Sequence, residues 1–215
     1  MWPGLGQDGR VHTSDLIARA AALADEDARR ILGIAGPPGA GKSTLAALIA
    51  DALGPERAVV VPMDGFHLAQ AELDRLGRAE RKGAPDTFDS AGYLCLLRRL
   101  RDPGERTVYA PAFDRSLEEP IAGSIPVDPG VPLVITEGSY LLHDAPEWAP
   151  VGSLLDQAWY VAPDESLRVR RLVDRHVRHG KDPESARAWV ARSDAPNALL
   201  VARGRHRADL VVGSG

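Results

Sequence analysis

The residues best able to do chemistry stand between 36 and 44, where Gly36-Pro37-Pro38-Gly39-Ala40-Gly41-Lys42-Ser43-Thr44 fits the pattern G-x-x-x-x-G-K-[ST]. Glycines at this spacing let the backbone curl until successive N–H groups face one anion, and a helix starting here adds the partial positive charge of its N-terminus. The chemistry expected is nucleotide binding: ATP phosphates cradled by the loop, Lys42 reaching the β- and γ-phosphates, and the Ser43 hydroxyl ligating Mg²⁺. A glycine-rich turn before a helix is the plainer reading of such a stretch. The flanks argue against it, because Ile31 to Ala35 is an apolar run that reads as a buried strand. Thr44 to Leu53, with Leu45, Leu48, Ile49 and Ala52, reads as an amphipathic helix.

Two carboxylates stand just after other strand-like runs. Ala58 to Pro62 leads into Met63-Asp64-Gly65-Phe66-His67, and Val131 to Thr136 leads into Glu137-Gly138-Ser139-Tyr140. Open parallel sheets bind ligands outside the carboxyl ends of their strands, so Asp64 and Glu137 are expected on the edge that carries the phosphate loop. Asp-Gly is also an ordinary turn signal. Ser166 to His179 reads as a helix carrying Arg168, Arg170, Arg171, Arg175 and Arg178 with only Asp174 among them. A solvated helix normally balances such charge with acids at i,i+4, so the excess points to a phosphate-facing role. Val108 to Arg115 mixes aromatic and charged residues without a clear period, and Pro111 excludes a central strand; this stretch is a candidate pocket wall.

The elements that must position these residues follow from pattern. Thr13, Ser14 and Asp15 offer caps for an Ala-rich helix with Leu16, Ile17, Ala20, Leu23 and Ala24 on one face. A short helix is expected over 68–76, a charged surface loop over 77–87, a helix from Asp89 to Arg101 and a surface hairpin or loop from Glu118 to Pro132. A strand from Gln157 to Val161, helices starting at Pro183 and Pro196, and a last strand from Ala208 to Val212 complete the chain. Strands alternating with helices predict an α/β fold, a mostly parallel sheet covered on both faces. At 215 residues and 44% apolar content the chain is expected to form one domain over 1–215. A net charge of −4 argues against nucleic acid or a membrane surface as partner. The lone Cys95, inside the apolar stretch Tyr93 to Leu97, is expected to be a buried structural thiol in a reducing cytoplasm. Met1-Trp2-Pro3-Gly4 opens no leader pattern and no apolar run approaches membrane-spanning length, so a soluble cytoplasmic protein is expected.

Taken together, the residues from 31 to 212 resemble the type I pantothenate kinase and uridine kinase family of phosphate-loop kinases. The resemblance is carried by the phosphate loop, Asp64-Gly65-Phe66, Arg81-Lys82-Gly83-Ala84-Pro85 with Phe88-Asp89, Val108-Tyr109 with Phe113-Asp114, Glu137-Gly138, Arg175, the Asn197 region and Ala208-Asp209-Leu210. It implies a three-layer α/β/α phosphate-loop NTPase fold with a helical lid over about 166–195. It also implies transfer of the γ-phosphoryl group of ATP to a hydroxyl of a small metabolite, in a monomer or homodimer. Asp64 is then the base for the acceptor hydroxyl, Ser43 and Glu137 form the Mg²⁺ shell, and Arg175 acts from the lid on the transferring group. Tyr109 and Asn197 would contact the acceptor. Pro111 stands where pantothenate kinases carry a histidine, and Phe66-His67-Leu68 replaces the tyrosine-containing turn of uridine kinases, so nucleoside, sugar and pantothenate-like acceptors all stay open. The rival class, a switch NTPase acting on a macromolecule, predicts motifs that are missing: Asn197 is followed by Ala198, not by the Lys-x-Asp of a guanine site.

Overall fold

The computed structural model describes residues 12–102, 104 and 106–213; the N-terminal stretch read above for a leader lies outside the described residues. Five parallel strands form the central sheet: β1 (Arg30–Ala35), β2 (Ala58–Pro62), β5 (Leu133–Gly138), β6 (Gln157–Ala162) and β7 (Leu210–Gly213), in the order β2-β5-β1-β6-β7. Among the described residues the two other strands, β3 (Val108–Asp114) and β4 (Glu119–Val127), pair antiparallel as a separate hairpin, in keeping with the exclusion of Pro111 from a central strand.

Strand alternation sends successive side chains to opposite faces, and two cores result. Leu32, Ile34, Leu133, Ile135, Trp159 and Val161 pack beneath α1 (Thr13–Ala24) and α2 (Lys42–Leu53), whose Leu16, Ala20, Leu23, Ala46 and Ile49 meet them. Ile31, Ala35, Val134, Ala158 and Tyr160 face the other way, against Tyr93, Leu94, Leu97 and Leu100 of α4 (Ser90–Arg101), Val108 and Val127 of the hairpin, and Trp148. The sheet is thus covered on both sides, as alternating strands and helices predict. The helix α2 starts at Lys42, two residues before Thr44.

Cys95 corrects an expectation, because it is exposed. It lies within an apolar stretch, but Tyr93, Leu94, Leu96, Leu97 and Leu100 take the inward side of α4, and at 100° per residue Cys95 is turned to solvent. The charged segment 77–87 folds on itself through two short 3₁₀ turns. Arg81 makes a two-pronged pair with Asp86 at 2.9 and 2.5 Å, and Arg78 Nη1 donates to the Asp86 carbonyl at 2.7 Å.

One buried polar chain crosses the core beside the site. Thr136 Oγ1 donates to the Val61 carbonyl at 2.7 Å, so its single proton is used and the Tyr93 hydroxyl, 2.6 Å away, must donate to it. Thr136→Val strands that phenol in the interior and should cost about 1–3 kcal/mol of stability. The double variant Thr136→Val/Tyr93→Phe should recover part of the loss in urea unfolding; simple additivity of the two single changes would show that the pair is not coupled.

Candidate active site

Parallel register brings the carboxyl ends of three neighbouring strands level. Ala35 pairs with Gly138 and Pro62 with Glu137, so the loops after β1, β2 and β5 open on one edge. At the end of β1 the chain turns through the phosphate loop, and Gly41 at φ 95° occupies a left-handed conformation that a side chain resists. This turn starts α2 with no side-chain cap, which leaves the first N–H groups of the helix directed at whatever occupies the loop. An uncapped twelve-residue helix behind a curled glycine loop fits a bound phosphate group.

Lys42 is buried, and its Nζ donates to the Pro37 carbonyl at 3.2 Å and to Ser139 Oγ at 3.4 Å. Ser43 Oγ donates to Glu137 Oε1 at 2.8 Å. Burial pushes the Lys42 ammonium down from its ordinary pKa, with Glu137 and Asp64 opposing. Burial likewise pushes the Glu137 carboxyl up, Asp64 adding to the rise while Lys42 and the Ser43 hydrogen bond oppose it. A buried cation and a buried carboxylate, each pressed toward neutrality, suit a site whose charges are completed by a ligand. The Ser43 hydroxyl and Glu137 carboxylate are hard oxygen donors of the kind Mg²⁺ takes in small number alongside phosphate oxygens.

Asp64 sits in a single 3₁₀ turn, Met63–Phe66, after β2. The turn comes so close to the hairpin that a Cβ on Gly65 would lie 2.3 Å from the Pro111 carbonyl oxygen, so only glycine fits there. Asp64 Oδ2 accepts from Arg115 Nη2 at 3.2 Å. Asp64, Lys42, Ser43 and Glu137 line one cleft of about 380 Å³, within the size range of small-molecule sites.

The arginine-rich helix α5 (Glu165–Arg178) supplies another wall, and its arginines divide. Arg168 is 1% exposed; Nε and Nη2 pair with Glu165 at 2.8 and 2.6 Å while Nη1 donates to the Pro38 carbonyl at 3.1 Å. It therefore fastens the helix to the phosphate loop and does not belong to the uncompensated set. Arg171 and Arg175 do line the cleft, and Arg171 Nη1 lies 3.8 Å from where a Cβ on Gly41 would stand. Burial lowers the Arg175 pKa, and the like charge of Arg115 adds to the effect.

Asn197, on α7 (Ala195–Ala202), also reaches the cleft, where its Nδ2 donates to the Gly83 carbonyl at 3.4 Å beside the Tyr140 hydroxyl at 2.5 Å. Tyr109 does not. Val108 and Ala110 take the buried face of β3, so alternation turns Tyr109 outward, 61% exposed and outside the cleft lining. Phe113 and Arg115, from the same stretch, line the cleft instead. Arg115 thus lies in the stretch expected to form a pocket wall, whereas His67, Lys82 and Ser139, which also line the cleft, carry no individual role in the sequence; the segment around Lys82 is marked there only by its place in the family resemblance.

Residues 31–215 match the model of the phosphoribulokinase / uridine kinase family. The chain belongs to that family. It is 35% identical over 208 residues to a provisionally named uridine kinase of Schizosaccharomyces pombe, spanning 92% of this chain and 88% of that one. A crystal structure of a kinase from Silicibacter sp. TM1040, provisionally assigned to a fructose transport system, superposes with a TM-score of 0.81 at 34% identity, covering 94% of this chain and 98% of that chain. The D-glycerate 3-kinase of Cryptococcus neoformans shares the fold, with a TM-score of 0.65 at 15% identity over 90% of this chain and 87% of that chain. Membership makes this protein a kinase of the family, an ATP-using phosphotransferase. Among the described residues no helix is long and apolar enough to cross a membrane.

Proposed function

We propose that the protein transfers the γ-phosphoryl group of ATP to a hydroxyl of a small metabolite, of nucleoside, sugar or pantothenate-like type, with Asp64 as the base. The observation that carries this reading is the shared cleft: the Asp64 carboxylate faces the same space as Lys42, Ser43 and Glu137. Phosphoryl transfer has a loose transition state, so a kinase mainly positions its reactants and stabilises charge on the equatorial oxygens. Lys42 supplies positive charge from a fixed, buried position. Ser43 and Glu137 would hold Mg²⁺, which would supply neutralisation of phosphate charge. Asp64 orients the acceptor hydroxyl and takes its proton, while Arg115 Nη2, 3.2 Å from the carboxylate, holds it in place before the acceptor arrives. The helices over 166–195 act as the lid that excludes water.

The test is ADP release from Mg-ATP, above the acceptor-free background, with a panel that includes D-fructose, D-glycerate, uridine and pantothenate. Acceptor-dependent release is expected; ATP turnover indifferent to every hydroxylated acceptor and stimulated by a macromolecule would replace this reading with that of a switch NTPase. Within the reading, Arg175→Ala should lower kcat more than it weakens ATP binding, because a lid arginine acts chiefly in the transition state. Equal losses in the two quantities would make Arg175 a ground-state anchor.

A further inference from the structure

The helix α5 is fastened unevenly along its length. Its first half is fixed to the phosphate loop: Arg168 Nη1 donates to the Pro38 carbonyl, and a Cβ on Gly39 would lie 2.8 Å from Leu172 Cγ. Leu172 is the last buried residue of the helix, so Arg175 stands on an outer half with no buried anchor of its own. The Arg178 and His179 side chains bond to backbone carbonyls within α5. Among the described residues one side-chain hydrogen bond ties this outer half to another element, from His176 Nε2 to Asp194 Oδ2 at 2.9 Å. A carboxylate only accepts, so Nε2 is the donor. Both side chains are mostly buried, at 16% and 10% exposure. The imidazole also lies beside Trp189, the last residue of α6 (Pro183–Trp189), with ring centroids 6.3 Å apart. Asp194 ends a π turn, Val190–Asp194, of the kind that often marks functional sites. It lines the cleft together with Arg175. Burial is the main push lowering the Arg175 pKa and Arg115 adds to it, while Asp194 leads the acids that oppose it.

We propose that the His176–Asp194 pair clamps the outer half of α5 to the π turn and thereby positions Arg175 for the transferring phosphoryl group. This rests on the kinase reading above, in which Arg175 acts from the lid. His176 and Asp194 are positioning residues, and their effect on turnover runs through Arg175, the residue next to His176 in the chain. With the pair broken, the outer half of the helix keeps its own backbone hydrogen bonds but loses its side-chain tie to the π turn. Arg175 is then left to the repulsion of Arg115. A charged group displaced by about 1 Å loses much of its effect on a transition state. ATP binding is spared, because the phosphate loop and the first half of α5 are held together by Arg168 and Leu172 without the pair.

The experiment measures kcat with whichever acceptor of the panel is turned over fastest, KM for ATP, and amide hydrogen exchange along the chain. His176→Ala removes the donor, and His176→Gln returns an N–H at the distal position without the imidazole. His176→Ala should lower kcat about tenfold, the effect of losing one hydrogen bond to a charged group, with KM for ATP changed by less than about twofold. His176→Gln should recover most of that loss. In an Arg175→Ala background His176→Ala should cost less than about twofold, since the clamp then has nothing to position. Independently of turnover, exchange over 173–179 should quicken about tenfold in His176→Ala and slow again in His176→Gln, while exchange over α4 stays the same. Unchanged exchange over 173–179 in His176→Ala would overturn the clamp, and faster exchange over α4 as well would make the pair a general stability contact and overturn the proposal. A kcat loss of equal size with and without Arg175, a parallel rise in KM for ATP, or a loss that glutamine does not mend would overturn the positioning role while leaving the kinase reading in place. A panel silent throughout would remove the kinase reading and the positioning role together.

Discussion

A Lys42→Ala variant is expected to retain little of the acceptor-dependent activity, with kcat/KM falling on the order of 10²–10³. The reason is the environment of the ammonium. Its Nζ is held by two neutral acceptors, the Pro37 carbonyl and Ser139 Oγ, in the buried floor of the phosphate loop. Charge in such a place is screened far less than charge in water, so its removal is felt by the phosphates. A buried ammonium is also a cost to folding, and the downward push on its pKa reports that cost. Lys42→Met, which keeps the packed aliphatic stem, should therefore show the same kinetic loss without a fall in the thermal unfolding midpoint. Steady-state ADP release and a melting curve suffice to check both. Near-wild-type kcat/KM in either folded variant would mean that catalysis does not use this loop.

The second large effect separates the two carboxylates of the cleft. Glu137, proposed above for the Mg²⁺ shell, is buried and accepts from the Ser43 hydroxyl, whereas Asp64, the proposed base, stands farther out, paired with Arg115. Asp64→Asn should reduce kcat on the order of 10²–10⁴ by removing the base, with ATP affinity and the Mg²⁺ requirement little changed. Glu137→Gln should instead raise the Mg²⁺ concentration that gives half-maximal rate, because an amide is a poorer ligand than a carboxylate for a hard cation. Mg²⁺ titrations of turnover in the two variants, with ATP binding measured alongside, decide the matter. A shifted Mg²⁺ requirement in Asp64→Asn but not in Glu137→Gln would exchange the two roles, and no effect in either would remove the assignment of this cleft to phosphoryl transfer.

Local chemistry made a large part of this protein legible from its residues. The apolar run 31–35, the glycines and Lys42, and the 3.6-residue pattern after them are features that neighbouring residues impose on one another. The strand, turn and helix that result could hardly be otherwise. The same holds for Asp64, which follows β2, and for Glu137, which lies among the last residues of β5, since residues at or just past the end of a buried parallel strand must emerge at its carboxyl edge. Side-chain period does not encode which strands lie side by side. The sheet inserts β5 between β1 and β2, and this puts Glu137 against Ser43 although 94 residues separate them. Nor does it encode which members of a charged or aromatic cluster are turned inward. Arg168 became a buried clamp on the Pro38 carbonyl while Arg171 and Arg175 stayed in the cleft. Tyr109 went to solvent while Phe113, Arg115 and His67 line the cleft. Those choices are made by contacts between elements distant in the chain, where one packed surface selects among side chains that local sequence treats alike, and only the tertiary structure contains them.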